Sequence, residues 1–377
     1  MRIAFCIYGF TADVTRLQPW LTILHVANYL SEHGWDVHIL TDADTDDFLD
    51  GIKIHVIDSL RATNKEQVWR MLDAIGAECC VVLTTPLNLA SSGWYKRLPK
   101  RLVAFLSYPF YTHSELLRAL PHLTLDDIKT YYRHALIPKV VWGGNLRRYY
   151  KSVIAQSPRT ANRVADAAGA EVARYAIPAG IDLDVWKPCE PKSELPAGKT
   201  RYLYLGWTKA IRGFDVLVRA FREIAGPDTE LLVLARGATD EELATTQHRL
   251  AAAGLDKSVR FIGGWMSQED LRSEISQASV VVLPFVLVPS ELPVSVMECI
   301  ACGTPVIGTD IDGLPDTIGK AGMVVRSGSV SSLAEAMLLV HKDREALVRM
   351  RAACVESRNN MMSWRQVSAE WMRVLQE

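Results

Sequence analysis

The chain has 377 residues, of which 49% are hydrophobic and 23% are charged, and its formal net charge is −1. This length predicts two or three domains, and the composition is typical of a soluble globular protein. A net charge this close to zero excludes a global electrostatic field that would attract nucleic acid or an anionic membrane. We therefore expect no nucleic-acid partner, and any such attraction would have to come from a local patch.

The seven cysteines are scattered along the chain and odd in number, so they do not form a disulfide framework. They indicate a reducing, cytoplasmic compartment. The apolar run at the N-terminus is too short for a signal peptide and predicts a buried first strand. The most apolar stretch, residues 280–288, is interrupted by Pro284 and is too short to span a bilayer.

Short apolar runs alternate with helical patterns in the first half of the chain, which favours a parallel sheet covered by helices on both faces. Strands are predicted at residues 2–8, 36–40, 53–56, 80–84, 102–106 and 153–156, and helices at 17–33, 65–75 and 159–168. Residues 186–199 are rich in proline and glycine, which indicates a connector. We therefore predict an N-terminal domain over residues 1–185.

The same alternation begins again after the connector and predicts a second domain over residues 186–359. Its strands are predicted at residues 202–205, 230–234, 259–262, 280–283, 305–308 and 323–325, and its helices at 214–224, 241–252, 268–277 and 331–339. A last helix is predicted at 364–376, where Val367, Trp371 and Val374 have roughly helical spacing. Two doubly wound α/β domains of this kind turn their ligand crevices toward a shared cleft.

The segment from Pro289 to Gly303 predicts a helix of about ten residues, with Pro293 at its first position and Gly303 just past its end. Because this helix follows the strand predicted at 280–283, its N-terminus should point into the crevice. Free N–H groups and a partial positive charge at that end make an anion site. The diphosphate of a sugar nucleotide is the obvious ligand.

Two acidic side chains belong to the same segment. Glu298 lies within the predicted helix, and an acid beside a phosphate site commonly binds ribose hydroxyls. Glu291 lies seven residues earlier, about two helical turns away on the same face, so the pair could hold two parts of one ligand. The alternative interpretation is a pair of solvated glutamates on a surface helix.

At these residues the chain resembles the retaining GT-B glycosyltransferases of glycosyltransferase family 4. That family has two glutamates separated by seven residues, followed by Ala-Cys-Gly-x-Pro-Val, and this chain has Glu298 followed by Ala301-Cys302-Gly303-Thr304-Pro305-Val306. Residues 177–182, 204–215 and 309–316 resemble the family's domain hinge, its Gly-Arg-x-x-x-x-Lys-Gly strand-turn-helix and its Gly-Gly-x-x-Glu loop. The resemblance is good over residues 150–377 and weaker over residues 1–150.

The resemblance implies a GT-B architecture of two Rossmann-like domains that face a central cleft. The C-terminal domain would bind the sugar nucleotide, the N-terminal domain would bind the acceptor, and a helix over residues 360–377 would pack back on the N-terminal domain. The donor-binding positions it implies are Gly9, Gly206, Ser290, Leu292, Pro293, Val294 and Glu298. Trp265 follows a predicted strand, and either covers the nucleotide base or packs in the core or on the surface.

Several positions depart from the family pattern. Arg212 takes the place of the family's lysine and Trp207 that of its arginine, while Lys209 could supply the lost charge. The first signature glutamate falls at Ser290, so either Ser290 replaces it or the loop shifts by one residue and Glu291 takes the role, which we favour.

The acceptor side also departs from the family. A histidine is usual at the end of the strand predicted at 102–106, where this chain has Ser107 and Tyr108 and a histidine only at His113. His113 is therefore an acceptor-side candidate or a polar loop residue.

The mechanism that the resemblance implies is transfer with retention of configuration and without a metal ion or other cofactor. Arg212, Lys209 and the helix N-terminus would stabilise the leaving diphosphate, with Glu291 and His113 as further catalytic candidates. The donor would be a UDP- or GDP-sugar, and the acceptor a glycan, a lipid-linked molecule or a small molecule.

Two other functions stay open. One is a catalytically degenerate GT-B protein that binds a sugar nucleotide or a partner, which the departures at Trp207, Ser290 and the acceptor-side histidine motivate. The other is an epimerase, which is less favoured because the sequence shows no carboxylate–histidine set for proton transfer.

Four further patterns have competing interpretations. Asp42-x-Asp44 and Asp310-x-Asp312 have metal-ligand spacing but are expected to be loop residues without metal. Cys299 and Cys302 have redox spacing, but they fall in the predicted helix, where small buried residues are needed. The basic stretches at 96–101 and 147–151 predict either solvated faces or weak peripheral contact with an anionic membrane.

Overall fold

The computed structural model describes residues 1–46, 48–58, 60, 66–91, 101–106, 108–190, 196, 198–236, 238–255, 257–264, 266–288 and 291–377. It contains two parallel β-sheets, one in each half of the chain. The last strand of the first sheet ends at residue 176 and the first strand of the second begins at residue 200. The boundary predicted between residues 185 and 186 lies in the segment that joins them.

The N-terminal sheet has seven strands. They are β1 (Arg2–Cys6), β2 (Asp36–Thr41), β3 (Ile52–Val56), β4 (Cys79–Thr84), β5 (Arg101–Leu106), β6 (Ser152–Ala155) and β7 (Ala173–Ala176). They are parallel and lie in the order β3-β2-β1-β4-β5-β6-β7. The first six lie at the predicted apolar runs. β7 was missed because it is a short edge strand whose residues are mostly exposed and include no apolar run.

Seven α-helices accompany this sheet. They are α1 (Trp20–Glu32), α2 (Glu66–Ile75), α3 (Pro86–Ala90), α4 (His113–Ala119), α5 (Leu125–Ala135), α6 (Lys139–Tyr149) and α7 (Pro158–Ala168). The sequence predicted α1, α2 and α7. It missed α3 to α6, because a helix such as α5 buries only Tyr131 and His134 and so has no apolar stripe.

The C-terminal sheet has six strands. They are β8 (Thr200–Leu205), β9 (Thr229–Ala235), β10 (Val259–Gly263), β11 (Val280–Val282), β12 (Val306–Thr309) and β13 (Gly322–Val325). The order β10-β9-β8-β11-β12-β13 repeats that of the first six strands of the N-terminal sheet, again with parallel pairing. In such a sheet the ligand crevice lies at the carboxyl ends of the strands, where the order reverses next to the first strand. Here that point is between β8 and β11.

The C-terminal half also contains eight α-helices. They are α8 (Phe214–Ile224), α9 (Asp240–Ala252), α10 (Gln268–Gln277), α11 (Val294–Ala301), α12 (Leu314–Ile318), α13 (Val330–Lys342), α14 (Arg344–Asn359) and α15 (Trp364–Gln376). Within the residues that the structure describes, no helix is both long enough and apolar enough to cross a bilayer.

The two domains share part of one apolar core. Leu116 and Ala119 of α4 and Tyr131 of α5 are buried in the same cluster as Tyr204 and Phe214 of the C-terminal domain. The helices that follow β5 therefore cover the carboxyl edge of the N-terminal sheet and pack against the C-terminal domain.

The last helix, α15, belongs to the core of the N-terminal domain. Trp371 is fully buried there, and its ring packs edge-on against Phe105 of β5 with centroids 4.9 Å apart. The chain thus crosses between the domains twice. The two crossings lie side by side, because the Ile181 amide donates to the Met362 carbonyl at 3.1 Å.

Candidate active site

The first feature of the C-terminal crevice is an arginine held against the end of β8. Gly206 follows this strand with φ +124°, and a Cβ atom there would lie 2.5 Å from Nη2 of Arg212. The Arg212 guanidinium donates to the Leu205 carbonyl at 3.4 Å and lies 4.8 Å from the centroid of the Phe285 ring. Only glycine at position 206 permits this approach, which places a half-buried cation between the carboxyl ends of β8 and β11.

The turn that carries Arg212 needs a second glycine. Arg212 ends a short 3-10 helix, and Gly213 follows in the left-handed region with φ +74°. A Cβ atom on Gly213 would lie 1.8 Å from the Pro284 carbonyl oxygen. Both glycines of this strand-turn-helix therefore have a steric role, and a contact between Arg212 and a phosphate stays a prediction. Nε of Arg212 is buried and has no hydrogen-bond partner among the described residues.

Lys209 lies beside the other departure from the family pattern. Its Nζ is 4.9 Å from the centroid of the Trp207 ring, and both side chains are exposed. The lysine and the tryptophan therefore form a cation–π pair at the surface of the same turn. A contact between Lys209 and a phosphate stays a prediction.

Helix α11 begins without a side-chain cap. It has eight residues rather than ten, and Pro293 precedes its first residue instead of occupying it. Gly303 follows its end with φ +78°, as predicted. Leu292 and Pro293 are buried and Val294 is half-buried. Because a helix leaves its first N–H groups without intrahelical partners, this N-terminus retains the properties of an anion site.

Glu298 lies one turn into α11 and is half-buried. Its carboxylate makes no hydrogen bond to another described residue. Burial raises the pKa of Glu298 to about 7, against the opposing effect of the Arg236 charge. Arg236 follows β9, so Glu298 lies near the carboxyl ends of the central strands with unused hydrogen-bonding capacity.

Glu291 contacts the N-terminal domain. It is fully buried, and its Oε2 accepts hydrogen bonds from the backbone amides of Gln156 at 2.6 Å and Ser157 at 2.9 Å. These amides precede α7 in the N-terminal domain. In this structure the carboxylate therefore binds the N-terminus of a helix across the domain interface, and a contact between Glu291 and the donor stays a prediction.

Asp312 completes this contact between the domains. Its Oδ1 accepts from the hydroxyls of Ser157 at 3.4 Å and Thr160 at 3.3 Å, and its backbone has φ +44°. Burial raises the pKa of Asp312 to about 7, and burial together with the Asp312 charge raises the pKa of Glu291. The two acids and the α7 N-terminus form what we call the interdomain latch.

Asp310 strengthens the same interface from the exposed side. Its carboxylate lies 3.0 Å from the guanidinium of Arg118, and its carbonyl accepts from Arg159 at 3.2 Å. The Asp310-x-Asp312 spacing is thus used for contacts between domains. Across the described ranges, no group of three or more His, Cys, Asp or Glu side chains could hold a metal ion.

The loop after β1, which contains Gly9, is hydrogen-bonded to other residues of the N-terminal domain. Gly9 has φ +65°, and its amide donates to Oδ1 of Asp42 at 2.6 Å. The amide of Phe10 donates to the Thr41 hydroxyl at 2.9 Å. In this arrangement the Gly9 amide is not open to a phosphate, and Asp42 has a structural role.

His113 is exposed at the start of α4 and borders a cavity of about 440 Å³ in the N-terminal domain. Tyr108, Tyr131, His134 and Trp142 also line this cavity. The Tyr108 hydroxyl and Nδ1 of His134 are buried without hydrogen-bond partners in the described part of the chain. Sequence reasoning missed the cavity, because helices that show no apolar stripe bring its residues together.

Burial determines the protonation states of His134 and Tyr108, which line this cavity. Burial, with a contribution from Arg133, lowers the pKa of His134 to about 4, and burial raises that of Tyr108 well above its usual range. Both groups are therefore neutral at pH 7. Neutral hydrogen-bonding groups beside aromatic rings suit an uncharged, hydroxyl-bearing ligand.

The remaining predictions concern Trp265, Ser290 and the pair of cysteines Cys299 and Cys302. Trp265 and Ser290 lie outside the described residues. Cys299 and Cys302 are buried in α11 and its end, and burial raises the pKa of both thiols, that of Cys302 to about 12. A thiol held protonated in this way has a packing role rather than a redox role.

Comparison with known proteins agrees with this architecture. Residues 199–343 match the family described as glycosyl transferases group 1. The sucrose-phosphate synthase of Thermosynechococcus elongatus superposes with a TM-score of 0.75 at 18% identity, covering 100% of this chain and 98% of that one. HepE of Anabaena, solved with UDP, gives 0.73 at 14% identity over 100% of both chains. The two facing domains therefore have the GT-B fold.

Curated relatives point to the same family. The alpha-maltose-1-phosphate synthase of Mycolicibacterium smegmatis is 29% identical over 53% of this chain and 56% of its own length. The phosphatidyl-myo-inositol mannosyltransferase of Mycobacterium leprae is 28% identical over 62% of each chain. The chain thus spans a little more than half the length of these relatives. The match to glycosyl transferases group 1 lies in the C-terminal domain, over residues 199–343.

Proposed function

We propose that the protein transfers a sugar from a UDP- or GDP-sugar to an acceptor hydroxyl, with retention of configuration and without a metal ion. The observation that carries this proposal is the carboxyl edge of the C-terminal sheet. It combines the half-buried Arg212, the N-terminus of α11, which has no side-chain cap, and the carboxylate of Glu298, which has no hydrogen-bond partner among the described residues. Arg212 and the N–H groups of α11 can bind a diphosphate, and the Glu298 carboxylate can accept hydrogen bonds from ribose hydroxyls.

Each group has a defined part in the proposed reaction. As the bond between the anomeric carbon and the diphosphate breaks, negative charge grows on the leaving oxygen. Arg212 and the N–H groups of α11 stabilise that charge. The acceptor oxygen then bonds to the same face of the anomeric carbon, and its proton passes to the departing phosphate. Glu298 holds the ribose hydroxyls and takes no part in the bond changes.

The names of related proteins support the choice of donor. HepE has been solved with UDP-glucose, and a relative from Corynebacterium glutamicum is named a GDP-mannose-dependent mannosyltransferase. We place the acceptor in the N-terminal cavity beside Tyr108 and His134. The proposal includes a reducing, cytoplasmic setting, which the seven free thiols support.

A second candidate is a GT-B protein that binds a sugar nucleotide without transferring the sugar. Two observations favour it: the Gly9 amide is bonded to Asp42, and Glu291 is bonded to the α7 N-terminus. Two positions at which the family contacts its donor are thus occupied by protein groups.

Release of nucleoside diphosphate separates the two candidates. A thermal-shift screen with UDP and GDP comes first, because stabilisation follows affinity. The protein is then incubated with UDP-glucose and GDP-mannose, and free UDP or GDP is measured with and without EDTA. We expect release, at the same rate with chelator. Tight binding with no release would favour the binding protein, and strict dependence on a divalent metal would contradict the mechanism.

The Glu298→Ala variant tests the ribose contact. Loss of hydrogen bonds to a charged group should weaken binding of the nucleoside diphosphate about ten-fold or more, with little change in stability. Because the pKa of Glu298 is about 7, wild-type binding should strengthen from pH 6 to pH 8 as the carboxylate ionises, and Glu298→Gln should flatten this dependence. Calorimetric titration measures both effects.

Glu345, which is exposed on α14, provides the control for this test, and Glu345→Ala should bind like the wild type. Unfolding of Glu298→Ala with unchanged affinity in the folded fraction would show that the side chain has only a structural role.

A further inference from the structure

Apolar side chains point outward where α5 and α6 meet. Leu136 is 72% exposed, Val140 is 78% exposed and Val141 is 42% exposed. We call these three residues, together with Lys139, the α5–α6 corner. Isolated exposed apolar residues are ordinary, but large exposed apolar side chains that are grouped together mark an interaction site.

The exposed face of α6 continues from this corner as a basic surface. Trp142, Gly143 and Leu146 form the buried face of the helix. With 3.6 residues per turn, Val140 and Val141 lie on the same outer face as Arg147 and Arg148, which are both exposed. The outer face is therefore apolar at its first turn and cationic at its last.

The charged side chains of this stretch of the chain have one sign. Residues 128–151 include no Asp or Glu, whereas the chain as a whole has a net charge of −1. The basic residues of this segment are Lys129, Arg133, Lys139, Arg147, Arg148 and Lys151, and all are exposed. Lys129 and Arg147 each lie 3.9 Å from an exposed acid, and such pairs neutralise little charge.

The same corner borders the N-terminal cavity. Residues 135–139 contribute to its wall together with Tyr108 and His134. A molecule that enters the cavity beside this wall passes close to the exposed side chains of Leu136 and Lys139. The corner and the cavity therefore form one continuous surface.

We propose that the α5–α6 corner and the basic end of α6 dock the protein on an anionic lipid bilayer. The apolar tips would insert at the boundary between headgroups and acyl chains, and the cations would contact the headgroup phosphates. Exposed Leu and Val favour a bilayer over a nucleic acid, and exposed cations on long side chains favour it over an apolar protein surface. The cavity would then open beside the lipid headgroups.

Co-sedimentation of the full chain with vesicles tests the docking. One set of vesicles is phosphatidylcholine alone and the other contains about 30 mol% phosphatidylglycerol, which supplies an anionic surface. We expect binding to the anionic vesicles that weakens with salt, and at least about ten-fold weaker binding to the neutral ones. Failure to bind anionic vesicles at low salt would overturn the proposal.

Two double variants test whether the α5–α6 corner and the basic end of α6 form the docking surface. Leu136→Asp with Val140→Asp should abolish binding, and Arg147→Gln with Arg148→Gln should weaken it about 25-fold, since each cation contributes about five-fold. Val348→Asp with Val355→Asp is the matched control, because these side chains are 67% and 53% exposed on α14 of the C-terminal domain.

The control should bind like the wild type, and equal binding by the corner variant would contradict the assignment. Circular dichroism checks that each variant is folded. Because no sugar nucleotide is present, this outcome is independent of whether the protein transfers a sugar.

Discussion

Replacement of Arg212 by alanine is expected to lower turnover by about two to three orders of magnitude and to leave the fold intact. Removal of one group that stabilises developing negative charge has an effect of this size. Arg212 is half-buried between the ends of β8 and β11, where water screens its charge less than at the surface. Its loss should therefore raise the barrier and also weaken binding of the free nucleoside diphosphate.

Two further variants make the Arg212 result specific. Arg212→Lys restores a positive charge without the planar fork, so it should recover part of the rate. Arg222→Ala removes an exposed arginine from α8 and should behave like the wild type. Release of UDP or GDP gives kcat and KM for each variant, and calorimetry gives the Kd of the diphosphate. An unchanged kcat in Arg212→Ala would rule out the phosphate role.

Replacement of Glu291 by alanine is expected to be the most destabilising of the changes considered. The variant leaves the buried amides of Gln156 and Ser157 without an acceptor, which costs about 2–4 kcal/mol. Relief of the repulsion between Glu291 and Asp312 offsets part of this loss. Urea unfolding measures the free energy of unfolding, and limited proteolysis at the interface reports opening of the latch.

The latch should also respond to pH. The pKa values of Glu291 and Asp312 are raised in the folded state, that of Asp312 to about 7. The contribution of Asp312 to stability is therefore complete below the ordinary carboxyl pKa and is lost as the pH rises through about 7, and that of Glu291 is lost as the pH rises through its own raised pKa. Glu291→Gln keeps an oxygen that can accept from the amides, so it should be milder than alanine and should flatten the loss of stability as the pH rises above the ordinary carboxyl pKa.

The alternative role for Glu291 leads to a different result. If this carboxylate contacts the donor, as the family resemblance implies, Glu291→Ala should fold as stably as the wild type and bind the sugar nucleotide more weakly. Stability and affinity measured on the same variant therefore distinguish the latch from the donor contact.

Much of the fold follows from the sequence because it depends on local patterns. Four of the six strands of the C-terminal sheet are buried along nearly all of their length, and α8 and α10 are amphipathic helices that lie where the pattern places them. The segment from α3 to α6 was not predicted. Helix α5 has a capping box at Thr124 and Asp127, but few apolar residues follow it. Its position depends on contacts with the other domain.

The candidate site likewise combines features that depend on local sequence with features that depend on contacts between distant residues. The proximity of Gly206 to Arg212 follows from a strand-turn-helix only a few residues long, so it depends on local sequence. The partner of Glu291 lies 135 residues away in the other domain. No local pattern encodes a contact between residues so far apart in the chain.

The return of α15 to the first domain has a consequence for synthesis. The core around Phe105 is incomplete until Trp371 is added, and the whole C-terminal domain lies between them in the chain. Domains usually fold in the order in which they are translated. Here the core of the N-terminal domain stays incomplete until α15 has been synthesised. The C-terminal domain, which is synthesised before α15, can therefore complete its fold first.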